Sequence, residues 1–228
     1  MSSGASNFVE SVDSVFLLSI IISVFFLVLI TVLMIYFVIK YNRKRNPKAV
    51  NVHSNIMLEV IWTIIPTILV LILFWYGWVG YKEMADIPDD AMTVEVTARM
   101  WQWQFKYETG KVADSLYVPV NRAVKLTLVS NDVNHAFFVP AFRIKKDILP
   151  GKDRAVWFIA NNIEVYDIFC AEYCGLNHSA MLSKVVVMSE ADFENWLNAG
   201  NDNKPDNNAE LNDNDEDETE LFESENQN

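Results

Sequence analysis

Within the twelve residues Cys170-Ala171-Glu172-Tyr173-Cys174-Gly175-Leu176-Asn177-His178-Ser179-Ala180-Met181 the chain carries two thiols, an imidazole and a thioether. This is a soft-metal ligand set: thiolate and thioether suit copper, imidazole suits copper or zinc, and a lone zinc site has little use for a methionine. A second imidazole is available from His135, in Ser130-Asn131-Asp132-Val133-Asn134-His135. Two cysteines, two histidines and a methionine exceed what one tetrahedral ion takes, so two coppers sharing the thiolates is the economical reading. A disulfide, the ordinary use of two cysteines in an exported domain, leaves His178 and Met181 without a part. No Cys-x-x-Cys-His occurs, so no c-type haem is attached to this chain.

Such ligands need a rigid frame. Thr93–Ala98 and Ala123–Val129 alternate as half-buried strands do, and Ala155–Ile159 and Lys184–Met188 are further β-rich runs. Short strands between turn residues predict a β-sandwich or barrel, whose end loops can fix a metal. Ser189-Glu190-Ala191-Asp192 has capping character, and the apolar positions Phe193, Trp196 and Leu197 predict a short closing helix that ends by Gly200.

Ahead of this frame lie two uncharged runs, Ser14–Ile39 and Val60–Tyr81, each long enough to cross a hydrocarbon core of about 30 Å. Residues 1–14 hold Glu10 and Asp13 but no Lys or Arg, so the first run lacks the basic start of a signal peptide. Lys40, Arg43, Lys44, Arg45 and Lys48 fall between the runs, with no acid before Glu59. By the positive-inside rule that loop faces inward, and both termini and the β domain face outward. The formal charge of −12 is mostly a tail: residues 201–228 hold eleven acids and one lysine. That Asn- and acid-rich segment cannot bury enough to order itself; it either enlarges the molecule's field or serves as a solvating appendage. The organisation read from sequence is an outer-face N-terminal tail over 1–13, a transmembrane hairpin over 14–83 with its basic inner loop at 40–58, a copper domain over 84–200, and a disordered acidic tail over 201–228. Nothing in this pattern calls for nucleic acid.

The string Cys170-x-Glu-x-Cys174-x-x-x-His178-x-x-Met181, preceded by Asp132-Val133-x-His135, resembles the dinuclear copper A site of cytochrome c oxidase subunit II. The similarity extends to Leu58-Glu59-Val60-Ile61-Trp62-Thr63-Ile64-Ile65-Pro66, to Trp101-Gln102-Trp103 and to Arg143-Ile144-Lys145-Lys146-Asp147-Ile148-Leu149-Pro150-Gly151, in order along the chain. It implies a two-helix membrane anchor plus an all-β cupredoxin-like domain. It also implies one copper on His135 and Met181, another on His178 and the Glu172 carbonyl, and bridging by Cys170 and Cys174. The Glu172 carboxylate is then free for a magnesium ion shared with subunit I, a hard oxygen donor for a hard cation. Trp101 matches the family's electron-entry tryptophan beneath cytochrome c. Read as residues two apart on one strand, Trp101 and Trp103 share a face, with Trp103 as packing. Glu59, at the inner start of the second span, matches the mouth of a proton-uptake channel, although a carboxylate at a helix end also snorkels to water at little cost. His53 reads as a surface residue of the inner loop.

The implied protein is the electron-entry subunit of a proton-translocating terminal oxidase in a bacterial plasma membrane or a mitochondrial inner membrane, with subunits I and III, cytochrome c and membrane lipid as partners. Two positions depart from the pattern: Val165-Tyr166-Asp167-Ile168-Phe169 lacks the usual Gly-Gln, and Lys106 stands where an acid often helps to dock cytochrome c. Residues 81–200 still hold 16 acids against 12 bases, and Asp132 is the best docking or second-shell candidate. A quinol-oxidase subunit lacks these ligands, and a nitrous-oxide reductase lacks this anchor. A copper A nitric-oxide reductase subunit and a membrane-tethered copper-delivery module are the remaining rivals.

Overall fold

The computed structural model describes residues 4–48 and 54–199. His53, Gly200 and the acidic tail lie outside the described residues. Two long helices come first, α1 (Val9–Lys40) and α2 (Ile56–Ala85), each holding an 18-residue stretch of mean hydropathy 3.1 and 2.5 respectively, with no buried residue in either. Helices apolar on every side have no one face to turn to a core, and the solvent that suits them is lipid. α1 starts at Val9, so Glu10 and Asp13 are helical. In α2 the Asn55 side chain caps the start by accepting from the Met57 and Leu58 N–H groups. Pro66 removes one backbone donor, and one residue on, the Thr67 hydroxyl donates to the Thr63 carbonyl at 2.6 Å, adding a bond to the turn the proline weakens.

Ten strands follow: β1 (Met92–Arg99), β2 (Gln102–Tyr107), β3 (Val112–Ala113), β4 (Leu116–Pro119), β5 (Ala123–Ser130), β6 (His135–Val139), β7 (Ile144–Ile148), β8 (Arg154–Ile159), β9 (Val165–Cys170) and β10 (Leu182–Met188). They form two five-stranded sheets, β3-β2-β1-β5-β8 and β4-β10-β9-β6-β7. β1 and β5 run parallel with Val94 opposite Leu126 and Val96 opposite Leu128, and all four are fully buried. This alternation, inward apolar and outward polar, turns one face of each sheet onto the other. A short helix, α3 (Glu190–Asn198), begins at the Ser189 cap and closes one end, with Phe193 buried and Trp196 stacked on Tyr117 at 4.3 Å.

Residues 4–8 belong to this sandwich. The Asn7 N–H donates to the Ile159 carbonyl at 3.1 Å, and the Asn7 side chain accepts from the Ile159 N–H at 2.8 Å. Asn161 donates from its amide to the Gly4 carbonyl at 2.9 Å, and the Ser6 hydroxyl donates to the Phe142 carbonyl at 2.9 Å. Phe8 is 1% exposed and meets Trp157 edge-on at 5.0 Å. Residues 4–8 are therefore a strap laid along β8, an edge strand of its sheet. Just after it, Asp13 pairs with Arg143 through two contacts at 2.7 and 3.2 Å.

Candidate metal centre

Strand pairing gathers the predicted ligands. β6 and β9 are antiparallel with Phe137 opposite Cys170, which sets His135, the first residue of β6, near the end of β9. The chain then loops out through residues 171–181 and returns as β10, with Leu182 opposite Phe169. Backbone bonds staple the loop: the Ala171 N–H donates to the Ala136 carbonyl at 3.1 Å, and the Cys170 N–H to the Met181 carbonyl at 3.3 Å. A single 3-10 turn, His178–Ala180, brings the histidine back over the cysteines.

The donor atoms converge. Cys170 Sγ lies 3.8 Å from Cys174 Sγ, 3.7 Å from His135 Nδ1 and 3.3 Å from the Glu172 carbonyl oxygen. Cys174 Sγ lies 3.5 Å from His178 Nδ1 and 3.8 Å from Met181 Sδ. A disulfide needs about 2.05 Å between sulfurs, and both cysteines are free. Metal–thiolate and metal–imidazole bonds of about 2.3 and 2.0 Å add to more than any of these sulfur–sulfur and sulfur–nitrogen spacings, so one ion can reach both members of each such pair. His135, Cys170, Cys174 and Met181 are all buried. This donor set fits copper, with soft sulfur and imidazole for first ligands and a thioether and a carbonyl as weak ones. Burial, reinforced by Cys170 beside it, pushes the Cys174 thiol up to about 11, so that thiol is protonated at neutral pH in the metal-free chain and loading must expel its proton.

Behind the ligands stands Asp132. Its Oδ1 lies 2.8 Å from His135 Nε2 and accepts from the Val133 N–H at 2.7 Å, while Oδ2 accepts from the Met100 N–H at 2.6 Å. Burial opposes its ionisation, but these donors outweigh it and hold the carboxyl below the usual carboxylate range. With His135 Nε2 engaged, Nδ1 is the atom left to face Cys170, the arrangement by which a carboxylate orients a metal-binding imidazole.

Trp101 does not lie on a strand beside Trp103. It sits in the turn between β1 and β2, half-buried, and packs on the metal loop: a Cβ added at Gly175 would lie 3.4 Å from its ring. Gly175 has φ of 119°, a conformation side chains resist, so the backbone selects glycine there. The Trp101 indole N–H has no acceptor among the described residues. Trp103 points inward from β2, 4% exposed, donates to the Met181 carbonyl at 3.4 Å, and lies edge-on to His135 with ring centres 6.4 Å apart. Sequence reading assigned it packing alone; its support of the metal loop has no signature in spacing. The Glu172 side chain is exposed while its carbonyl faces Cys170. Glu59 is not brought to this cluster: it stands exposed in the first turn of α2, the far end of a helix about 45 Å long.

Two family models match the chain, the transmembrane domain of cytochrome c oxidase subunit II over residues 1–77 and its periplasmic domain over residues 67–189. Similar sequences include the probable cytochrome c oxidase subunit 2 of Rickettsia bellii, 28% identical across 71% of this chain and 69% of that one. The cytochrome c oxidase subunit 2 of Alkalihalophilus pseudofirmus is 35% identical across 84% of this chain and 56% of that one. The chain thus spans between about half and two thirds of the length of these curated relatives. Among solved structures, the periplasmic domain of subunit II of cytochrome oxidase from Bradyrhizobium japonicum covers 49% of this chain and 94% of that one, at 28% identity and a TM-score of 0.47. Two models that overlap end to end across the helical anchor and the sandwich make the chain a member of the cytochrome c oxidase subunit II family.

Proposed function

We propose that this chain is the electron-entry subunit of a haem–copper terminal oxidase, taking electrons from cytochrome c on the outer face and delivering them to haem in subunit I, where oxygen reduction is coupled to proton pumping. The observation that carries this reading is the convergence of two thiols, two imidazole Nδ1 atoms, a thioether and a carbonyl at spacings of 3.3 to 3.8 Å. His135 and Met181 would hold one copper, His178 and the Glu172 carbonyl the other, and Cys170 and Cys174 would bridge. A pair of coppers so held supplies one-electron redox chemistry with little change in bond lengths. The chain's own part is to fix those donors, exclude water from all but the loop's outer side, and hold Trp101 against Gly175 as the contact for an incoming haem edge. The outward Glu172 carboxylate suits magnesium at the boundary with subunit I. Glu59, on the inner side, suits proton entry toward subunit I. Subunit III and the bacterial plasma membrane complete the setting.

The deciding experiment is copper analysis and EPR of the full chain in detergent, loaded with copper under oxidising conditions. Two coppers per chain sharing one unpaired electron over equivalent nuclei are expected. A single mononuclear copper, or a Cys170–Cys174 disulfide in the folded chain, would instead identify a tethered copper-binding module.

A further inference from the structure

Where α2 meets the sandwich, a groove of about 380 Å³ opens between the end of the helix and the strands β7 and β8, which edge the two sheets. One wall is apolar: Phe8 of the strap, Tyr81 and Met84 of α2, and Trp157 of β8. The other is basic, with Arg143, Lys145 and Lys146, and an adjoining cleft of about 340 Å³ shares both lysines and adds Arg154. Asp13 and Asp147 partly offset Arg143 and Lys145, whereas Lys146 and Arg154 have no carboxylate partner among the described residues.

We propose that this groove binds one phospholipid with an anionic head, its phosphate held by Lys146 and Arg154 where groove and cleft join and its chains descending along Tyr81. The lipid source is favoured over a free anion by placement. Tyr81 ends the uncharged run of α2, so the groove sits at the outer membrane–water boundary, and an inorganic phosphate gains nothing from Phe8 or Met84. Basic pockets at that level select anionic heads by charge. The inference rests on the membrane reading of α2 and is independent of copper.

The test is native mass spectrometry of the delipidated full chain, titrated in detergent with phosphatidylglycerol, with phosphatidylcholine and with inorganic phosphate. One retained phosphatidylglycerol is expected, preferred over phosphatidylcholine by on the order of tenfold. Lys146→Glu should remove most of that preference, Arg154→Gln should weaken retention by about two- to tenfold, and Lys106→Glu on the distant β2 should change nothing. Arg154 is exposed, so Arg154→Gln remains informative if Lys146→Glu does not fold. Equal retention of both lipids, or a preference untouched by both groove variants, overturns the proposal. Displacement of the lipid by millimolar phosphate identifies a soluble-anion site instead. Cross-linking from Lys146→Cys to another subunit of the purified oxidase, with no lipid retained, identifies a protein contact instead.

Discussion

Asp132 joins two parts of the site that are far apart in sequence, because one carboxylate holds the His135 ring and the backbone of Met100, the neighbour of Trp101. Asparagine has the same shape but replaces an acceptor by a donor, which faces an N–H whichever way the amide turns. Asp132→Asn is expected to lower copper affinity by about 10- to 100-fold in a chelator competition, leaving the fold intact. Cys174→Ser is expected to abolish the shared-electron EPR pattern, and two equivalent coppers in that variant would refute the bridge. The metal-free chain has its own pH signature. A thiol raised from 9.0 to about 11 favours the folded state while protonated, so that contribution is complete below about 9 and is lost as pH climbs to about 11. Melting of the copper-free chain should fall across that window, and Cys174→Ser should flatten the fall. The donor cluster was legible in the sequence because soft donors at short spacing have few other uses. Trp101 was placed on a strand because it shares parity with Trp103, and Arg99-Met100-Trp101 contains none of the residues that announce a turn.

Among the elements, the strap is held by depth and not by charge. Phe8→Ala empties a fully buried site and should cost about 3–5 kcal/mol in thermal or denaturant unfolding of the full chain. Asp13→Asn breaks an ion pair in which Asp13 and Arg143 are 46% and 41% exposed, and should lower the melting temperature far less than Phe8→Ala. A reversed ranking in that pair of melts would mean that the clasp, not the strap, fastens α1 to the sandwich. β1 and β5 were readable because every second residue is apolar and buried. β6 was not, since His135, Ala136, Phe137 and Val139 are all buried and the run has no alternation. β7 was hidden for the opposite reason: only its end residues Ile144 and Ile148 are buried, around a charged middle. The strap left no trace in composition, because its partners are backbone groups of β8 and the residues beside it.

For the molecule as a whole, charge is the long-range property. A net charge of −12, most of it in residues 201–228, would attract the basic cytochrome c of the proposed function, with a field that weakens with salt over a Debye length of about 8 Å at physiological ionic strength. Stopped-flow association with cytochrome c is expected to slow steeply as ionic strength rises. Removing residues 201–228 separates the two readings of the tail: a lower on-rate at low salt marks it as part of the field, and an unchanged one as an appendage.

The strap also orders events in time. Asn7 and Ile159 are 152 positions apart, with both long helices between them. At about 5–20 residues per second, the ribosome makes the dock on the order of 8–30 s after the strap. The two can meet only if the amino terminus and the sandwich have been exported to the same side. A chain whose residues 4–8 stay trapped inside leaves the end of β8 uncovered, and an uncovered sheet edge is open to pairing with another chain. The strap therefore closes only on a chain inserted with both parts on one side.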